Sequence, residues 1–310
     1  MAHFPADERD APADPDAHDT PVGALVFNAN DPSGAGGLAG DVAAITSVGG
    51  HAAPIVTGVY LRDTGAIFDH MALDDDLVAE QARTVLEDLP VQAIKAGFVG
   101  SADNLAAIAG IAADYPEVPL VAYMPDLSWQ ASDATEIYHD ACAELLLPQA
   151  ALLVGNHATL RRWLLPDWDA ERAPTSRDLA AAAEAHGVPY LLATGMARPD
   201  GRVDNVLASA HTVLCSVDFD TLPGPFIGAG DTLSATVTAL LASGCDLEDA
   251  VRDALTYLHG CLAYGFRPGM GRYLPDRMFW AEPQDPPEAG DTGPDTLDGL
   301  LDTGPHDIPH

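Results

Sequence analysis

The chain has 310 residues, of which 47% are hydrophobic, and a formal net charge of −33 at pH 7. This length and apolar content suit one large α/β domain better than two. The acidity argues against nucleic acid and anionic membranes as partners, because the phosphate attraction that dominates such binding would become repulsion.

The two ends of the chain are rich in Asp, Pro and Gly. We predict acidic disordered tails at residues 1–20 and 281–310 around one domain at 21–280. The N-terminus has neither a basic start nor an apolar signal stretch, and no apolar run is long enough to span a bilayer, so we expect a soluble cytoplasmic protein. The excess of Asp over Lys fits a salt-adapted cytoplasm or a GC-rich genome.

Short β-branched runs alternate with longer alanine-rich stretches along the chain. Repeated strand and helix units predict a parallel sheet, and strands that are apolar throughout predict helices on both faces. The sequence therefore predicts a three-layer α/β/α sandwich with a mostly parallel central sheet. In chain order, the predicted strands are 23–29, 51–60, 91–98, 118–124, 150–156 and 188–195, and the predicted helices are 37–49, 75–89, 102–115, 176–187 and one that starts near residue 229.

The segment PFIGAGDTLSATVTALLASG, residues 225–244, places small residues, an acid and a helix start side by side. Gly228, Ala229 and Gly230 would let an anion approach the free N–H groups of the first helical turn. Asp231 could accept a proton from an alcohol, and the alkoxide could attack a phosphoryl group held by those N–H groups. An Asp helix cap after a glycine turn is the simpler alternative.

A second glycine-rich segment, DPSGAGG at residues 31–37, follows the first predicted strand. Ligands in parallel sheets bind at the carboxyl ends of strands, and a flexible backbone there could approach a ligand. Asp31 could accept a hydrogen bond from a ligand amine or hydroxyl. A plain surface turn is the alternative.

Three motifs resemble those of a known family. GAGDTLSA resembles the signature of the ribokinase-like kinases, and the segments at 26–58 and 93–104 resemble those of the hydroxymethylpyrimidine and phosphomethylpyrimidine kinases of thiamin synthesis. The resemblance spans most of residues 24–265. It implies a ribokinase-like fold, ATP and Mg²⁺ as cofactors, a small-molecule substrate and a homodimer. The implied reaction is phosphorylation of the hydroxymethyl group of a pyrimidine or of its phosphate ester.

The resemblance also implies roles for single residues. Asp231 would be the catalytic base, and the small residues before it would form the anion hole. The glycine-rich segment would line the alcohol pocket, which makes Asp31 and Gly58 candidate substrate-binding residues. Phe98 takes the place of a methionine that would stack on the pyrimidine ring, with a purely structural core role as the alternative.

The pyrimidine-reading segment departs from the family pattern. Arg62 stands where a glutamine would read the edge of the ring. Because arginine only donates hydrogen bonds, it suits an anionic or carbonyl-bearing ligand better, unless it points into solvent.

The predicted metal and nucleotide residues depart further. Met124 takes the place of an expected aspartate, which leaves Asp126 as the candidate metal ligand. In the segment that helps to organise magnesium in the family, this chain keeps the asparagine, Asn156, but has Thr159 in place of the acid. Thr194 and Gly195 resemble the phosphate-contacting residues of pyridoxal kinase relatives, and with Asn156 they are the candidate nucleotide-binding residues.

These departures leave two alternatives to a pyrimidine kinase. A pyridoxal-type kinase would keep the chemistry and change the substrate. A non-catalytic relative would keep the pocket and lose the metal site.

Overall fold

In the described residues, 20–281 of the computed structural model, nine strands form one mixed sheet in the order β3-β2-β1-β4-β5-β6-β7-β8-β9. The tails predicted at 1–20 and 281–310 lie outside these residues except for Thr20 and Ala281. The strands are β1 (Gly23–Asn30), β2 (His51–Arg62), β3 (Ile67–Ala72), β4 (Ala93–Ala96), β5 (Leu120–Met124), β6 (Ala150–Asn156), β7 (Tyr190–Ala197), β8 (Arg202–Ala208) and β9 (Val213–Asp220).

Helices cover both faces of this sheet. All elements from β1 to α8 belong to one compact unit that ends at Phe279. The helices are α1 (Gly37–Ser47), α2 (Asp75–Asp88), α3 (Ala102–Asp114), α4 (Ser132–Ala141), α5 (His157–Leu164), α6 (Ser176–Glu184), α7 (Ala229–Ala242) and α8 (Leu247–Ala263), with a π-helical turn at Cys142–Leu146 and 3-10 turns at Leu147–Gln149 and Phe279–Ala281.

The strands are apolar on both sides because each side meets a helical layer. On β1, Leu25 and Phe27 pack into the layer formed by α2 to α6, whereas Ala24 and Val26 pack against α1 and α7. Helix α8 joins α7 on this second face. The predicted three-layer arrangement follows from this double burial.

The six predicted strands are β1, β2, β4, β5, β6 and β7, and they form the parallel block of the sheet. The sequence prediction missed β3, β8 and β9, which pair antiparallel at the two edges, and helices α4, α5 and α8. The missed strands carry charged or exposed residues within their runs, as with Asp69 in β3 and Asp204 in β8. Antiparallel strands need only one buried face, so their apolar pattern is weaker.

The site lies where β1 and β4 end beside the N-terminus of α7. The side-chain alternation that sends Val26 toward α1 and α7 also sends Asn28, two residues later, to that face. On the neighbouring strand, Lys95 pairs with Val26 in register and shares the same face. Polar groups of two central strands therefore meet beneath the tip of α7.

Candidate active site

The N-terminus of α7 packs directly against the glycine-rich loop at residues 31–37. Gly228 caps the helix with a φ of 79°, a left-handed conformation that favours glycine. A Cβ at Gly228 would overlap the carbonyl oxygen of Ala35, so the absence of a side chain lets the loop meet the helix. The two glycine-rich segments of the sequence are therefore in direct contact at the N-terminus of α7.

A cleft of about 450 Å³ opens at this tip. Ala229, Gly230 and Asp231 line it, and the first-turn N–H groups of a helix lack acceptors within the helix. Tyr123 stands over Gly230, where a Cβ would overlap the tyrosine hydroxyl. The remaining walls include Tyr60, Arg62, Trp129, Phe226 and Arg272.

The carboxylate of Asp231 faces this cleft and is 18% exposed. Its Oδ1 accepts hydrogen bonds from Asn28 Nδ2 at 2.9 Å and from Lys95 Nζ at 3.2 Å. Burial would raise the pKa of Asp231, but the Lys95 charge and these hydrogen bonds lower it below its ordinary value. Asp231 is therefore held as an anion at the tip of α7.

Behind Asp231 lies a buried ion pair that the sequence prediction missed. The ammonium of Lys95 bonds to Asp41 of α1, and both side chains are fully buried. Asn28 Nδ2 also donates to Asp41 Oδ2 at 2.8 Å. Burial raises the pKa of Asp41 to about 6, although Lys95 opposes that rise. The sequence signal was present, because a lysine inside an apolar strand must find a partner.

The glycine-rich loop is also held by Arg277, which the sequence prediction did not single out. This buried guanidinium donates to Thr232 Oγ1 at 2.9 Å, to the carbonyl oxygen of Gly34 at 3.3 Å and to that of Ala35. Burial lowers the pKa of Arg277. One side chain thus connects the loop to the first turn of α7.

Asp31 organises the loop from inside rather than lining the cleft. Its carboxylate is fully buried and accepts from the N–H and hydroxyl of Ser33 and from the N–H of Gly36. Its Oδ2 also lies 3.2 Å from Arg62 Nη1. Asp31 therefore contacts a residue of the cleft wall, Arg62, and a direct contact between Asp31 and substrate stays a prediction.

Arg62 lies at the wall of the cleft and is only 12% exposed. It therefore does not point into solvent. Besides Asp31, it lies 5.8 Å from the centre of the Tyr60 ring and donates to the carbonyl oxygen of Asp63. The guanidinium edge that remains suits an acceptor or an anion.

Phe98 is buried in an aromatic cluster and does not line the cleft. Tyr60 stacks on it at 5.7 Å, and Trp129 meets it edge-on at 5.6 Å. Tyr60 and Trp129 form the aromatic wall that faces the cleft, so the structure favours the core role for Phe98. Gly58 lies in β2, where a Cβ would overlap His70 and Met71 of β3.

The three candidate nucleotide-binding residues lie together at the ends of β6 and β7, outside the described cleft. Asn156 caps α5 by accepting from the N–H of Ala158 at 2.9 Å. Gly195, with a φ of 73°, donates its N–H to Asn205 at 3.2 Å, and a Cβ there would lie 2.5 Å from Asn156 Nδ2. The Thr194 hydroxyl donates to the carbonyl oxygen of Gly155 at 3.4 Å. Each of the three residues thus makes a local hydrogen bond.

Asp126, the candidate metal ligand, lies at the rim of the cleft. Its carboxylate is 55% exposed and forms an ion pair with Arg162 at 2.9 Å. Across residues 20–281, no three His, Cys, Asp or Glu side chains converge as a metal cluster. Met124, in the place of the expected aspartate, is buried in the core.

The arrangement has the parts that alcohol phosphorylation needs. A charged carboxylate faces a cleft beside a helix tip built from small residues, and aromatic and guanidinium groups line the same cleft. A carboxylate can accept a hydroxyl proton, and the helix N-terminus stabilises negative charge that develops on a phosphoryl group. In the described part of the chain, no helix is long and apolar enough to span a membrane.

Comparisons with known proteins agree with this chemistry. A family model described as phosphomethylpyrimidine kinase matches residues 31–276. The hydroxymethylpyrimidine/phosphomethylpyrimidine kinase of Mycobacterium tuberculosis is 30% identical over 261 residues, which are 81% of this chain and 92% of that protein.

Solved structures share the fold. The ADP complex of Bacillus subtilis pyridoxal kinase is 20% identical and superposes with a TM-score of 0.74 over 84% of this chain and 99% of that chain. Phosphomethylpyrimidine kinase from Clostridium difficile is 21% identical and superposes with a TM-score of 0.61 over 76% of this chain and 97% of that chain. The predicted α/β/α fold class is confirmed.

Proposed function

The chain belongs to the phosphomethylpyrimidine kinase family, and from this premise we propose that it phosphorylates the hydroxymethyl group of a pyrimidine, or of its phosphate ester, at the expense of ATP. The predicted family and the predicted class of enzyme, a phosphotransferase, are confirmed. The observation that carries the proposal is the charged carboxylate of Asp231 in the cleft beside the bare tip of α7.

In the proposed mechanism, Asp231 accepts the proton of the substrate hydroxyl. The oxygen attacks the terminal phosphorus of ATP, a new P–O bond forms, and the bond to the leaving ADP breaks. Because its pKa is lowered, Asp231 is already deprotonated at neutral pH. As phosphate leaves ADP, negative charge develops beside the first turn of α7, where Gly228, Ala229 and Gly230 present backbone N–H groups and have no bulky side chains of their own.

The aromatic wall supports recognition of a flat heterocycle. Tyr60 and Trp129 meet edge-on at 6.1 Å and both line the cleft, so a ring can pack against them. Arg62 and Arg272 line the same cleft and can donate to a ring acceptor or to a phosphate ester. A substrate that already carries one phosphate would use this positive edge.

The proposal also assigns residues to nucleotide and metal binding. Asn156, Thr194 and Gly195 are the proposed nucleotide residues, and Asp126 is the proposed protein ligand of Mg²⁺. Mg²⁺ is commonly held by one or two carboxylates, waters and the substrate phosphates, so an exposed carboxylate at the rim fits the ion without a converging cluster. Bound there, Mg²⁺ would supply charge neutralisation for the phosphates.

A pyridoxal-type kinase is the second candidate, and Arg62 is the observation that favours it. An arginine in the wall of the cleft would suit a ring bearing a phenolate or carbonyl oxygen better than an aminopyrimidine edge, which needs an acceptor as well as a donor. A substrate panel separates the two candidates.

The test measures ADP release with MgATP and either 4-amino-5-hydroxymethyl-2-methylpyrimidine, its phosphate ester or pyridoxal. We expect turnover of the pyrimidines and a loss of about 10²- to 10⁴-fold in kcat for D231N, because the base is removed. D246N is the matched control, since Asp231 and Asp246 both lie at helix starts, but Asp246 is the N-cap residue of α8. Full turnover by D231N would refute the base, and faster turnover of pyridoxal would select the second candidate. Binding of a pyrimidine without any MgATP binding would indicate a non-catalytic relative.

The homodimer and the cytoplasmic location stay predictions. Val59 and Met71 are register partners on the β2–β3 ladder, and with Leu61 they expose apolar side chains at 42%, 69% and 64%. We propose this face as the surface that a second copy covers. Sedimentation equilibrium of the full chain and of L61E measures it: the wild type should be dimeric and the variant monomeric, and a monomeric wild type would overturn the proposal.

A further inference from the structure

Lys95 is the only lysine in the 310 residues, and its side chain is fully buried. Removing an ammonium from water costs far more than removing an apolar side chain, so a buried lysine persists where opposite charges hold it. Here two carboxylates do so, Asp41 on α1 and Asp231 on α7. The ammonium therefore connects the proposed base to a second acid that no substrate can reach.

The geometry divides the two oxygens of Asp231 between different tasks. Oδ1 points inward and accepts from Lys95 and Asn28. Oδ2 lies against the glycine-rich loop, where a Cβ at Gly36 would overlap it, and the backbone N–H of Gly37 also donates to this carboxylate. The carboxylate is therefore held from the strands through Oδ1 and from the loop through its other side, which fixes where it can meet a substrate hydroxyl.

We propose that Lys95 and Asp41 act as a positioning pair that keeps Asp231 charged and holds its carboxylate in place beside the cleft. The proposal rests on the proposed function for the identity of the reaction, but the state of Asp231 that it describes belongs to the free protein. Neither Lys95 nor Asp41 touches the cleft, so both act through Asp231.

Asp41 has a role that Lys95 alone would not fill. During the proposed reaction Asp231 becomes neutral, and a buried ammonium would then have lost its partner. Asp41 bonds to Lys95 independently of Asp231, so the ammonium stays paired while the base carries the proton. Asp41 also takes a share of the Lys95 charge, which keeps Asp231 from becoming too weak a base.

Other charged groups around Asp231 do not replace this pair. Burial, followed by the charge of Asp231, raises the pKa of Tyr123, and burial likewise raises that of Tyr60, so both hydroxyls stay neutral. Arg277 donates to Thr232 and to the loop carbonyls rather than to Asp231. The titratable and charged side chains that act on Asp231, or are acted on by it, are Lys95, Asp41, Arg277, Tyr60 and Tyr123.

The first test measures the pKa of Asp231 by NMR of ¹³C-labelled Asp carboxyls in the substrate-free full chain, with D231N identifying the signal. The main variant is K95M/D41N, because removing one charge of each sign leaves no unpaired buried ion. We expect the pKa of Asp231 to rise by at least about one pH unit in this variant, since burial is then no longer opposed by the ammonium. D41N alone keeps Lys95 and should not raise it.

The second test measures kcat/KM against pH. The acidic limb should move to higher pH in K95M/D41N and should not move to higher pH in D41N, because this limb reports the ionisation of the base in the free enzyme. A merely structural role would lower kcat without moving the limb.

The outcomes separate the two proposals. An unchanged Asp231 pKa in folded K95M/D41N would overturn the positioning role, whatever the enzyme does. A raised pKa in a protein that turns over no pyrimidine would support the pair and reject the proposed function. If K95M/D41N does not fold, as judged by circular dichroism, D41N still decides, because a rise of the Asp231 pKa in that variant contradicts the proposal.

Discussion

The two sides of the proposed active site are built differently. On the acceptor side, buried charges and backbone packing fix Asp231 and the tip of α7 from behind. On the nucleotide side, Asn156, Thr194 and Gly195 bond to neighbouring backbone or side chains, and Asp126 lies in an exposed ion pair. The acceptor side is set by the fold before any ligand arrives, whereas on the proposed nucleotide side a ligand would compete with local partners.

This difference tells us where substitutions should do most damage. A change against rigid backbone has no inexpensive relief, and a displacement of about 1 Å in a catalytic site can cost about 10²-fold in rate. A change against a rotatable side chain can be absorbed by a new rotamer. The following predictions compare the two sides in order of expected effect.

The largest effect is expected for G228A. A Cβ here would collide with the backbone carbonyl of Ala35, and the φ of 79° is itself unfavourable for alanine. The tip of α7 must then separate from the glycine-rich loop, and we expect kcat to fall by about 10²-fold or more. Steady-state kinetics with saturating MgATP measure this.

The control for G228A lies at the other end of the same helix. Gly244 follows α7 with a φ of 86°, but nothing lies within 4 Å of a Cβ there. G244A therefore carries the same backbone strain without the collision. Its kcat should stay within about twofold of the wild type, since Gly244 lies at the opposite end of α7 from the cleft. Equal losses in both variants would show that helix stability, and not the loop contact, sets the activity.

The sequence predicted the part of this site that depends on local pattern. The bare helix start with Asp231 and the six parallel strands follow from residues that are neighbours in the chain. The contact between Gly228 and Ala35 joins segments almost two hundred residues apart, so only the fold reveals it. From the sequence, only the resemblance to a kinase family indicated that these two segments belong to the same site.

Other parts of the site could not be predicted because they depend on tertiary partners. In the sequence Lys95 is an isolated lysine in a strand, and only the structure shows that Asp41 and Asp231 lie beside it. Phe98 matches a stacking position of the family, yet Tyr60, from β2, stacks on it and lines the cleft in its place. Which member of an aromatic cluster faces a ligand is decided by packing, not by spacing along the chain.

An intermediate effect is expected for G195A on the nucleotide side. Gly195 also has a positive φ, but its added Cβ would meet the side-chain nitrogen of Asn156 rather than backbone. We expect the KM for ATP to rise about tenfold with a small change in kcat, because the Asn156 amide can rotate away. G201A is the control, since Gly201 has a φ of 81° and open space around it in the turn before β8. A fall in kcat as large as that of G228A would contradict the contrast between the two sides.

The smallest effect is expected for Asp126, and its ion-pair partner provides the comparison. If Asp126 supplies one ligand among waters and phosphates, D126N should raise the Mg²⁺ concentration needed for half-maximal activity about threefold to tenfold. R162Q keeps the carboxylate and frees it from the pair at 2.9 Å, so it should lower that concentration or leave it unchanged. Because exposed ion pairs contribute little to stability, neither variant should change the melting temperature by more than a few degrees. Opposite shifts in a Mg²⁺ titration would support Asp126 as a metal ligand, whereas equal responses of D126N and R162Q would assign it to the surface ion pair alone.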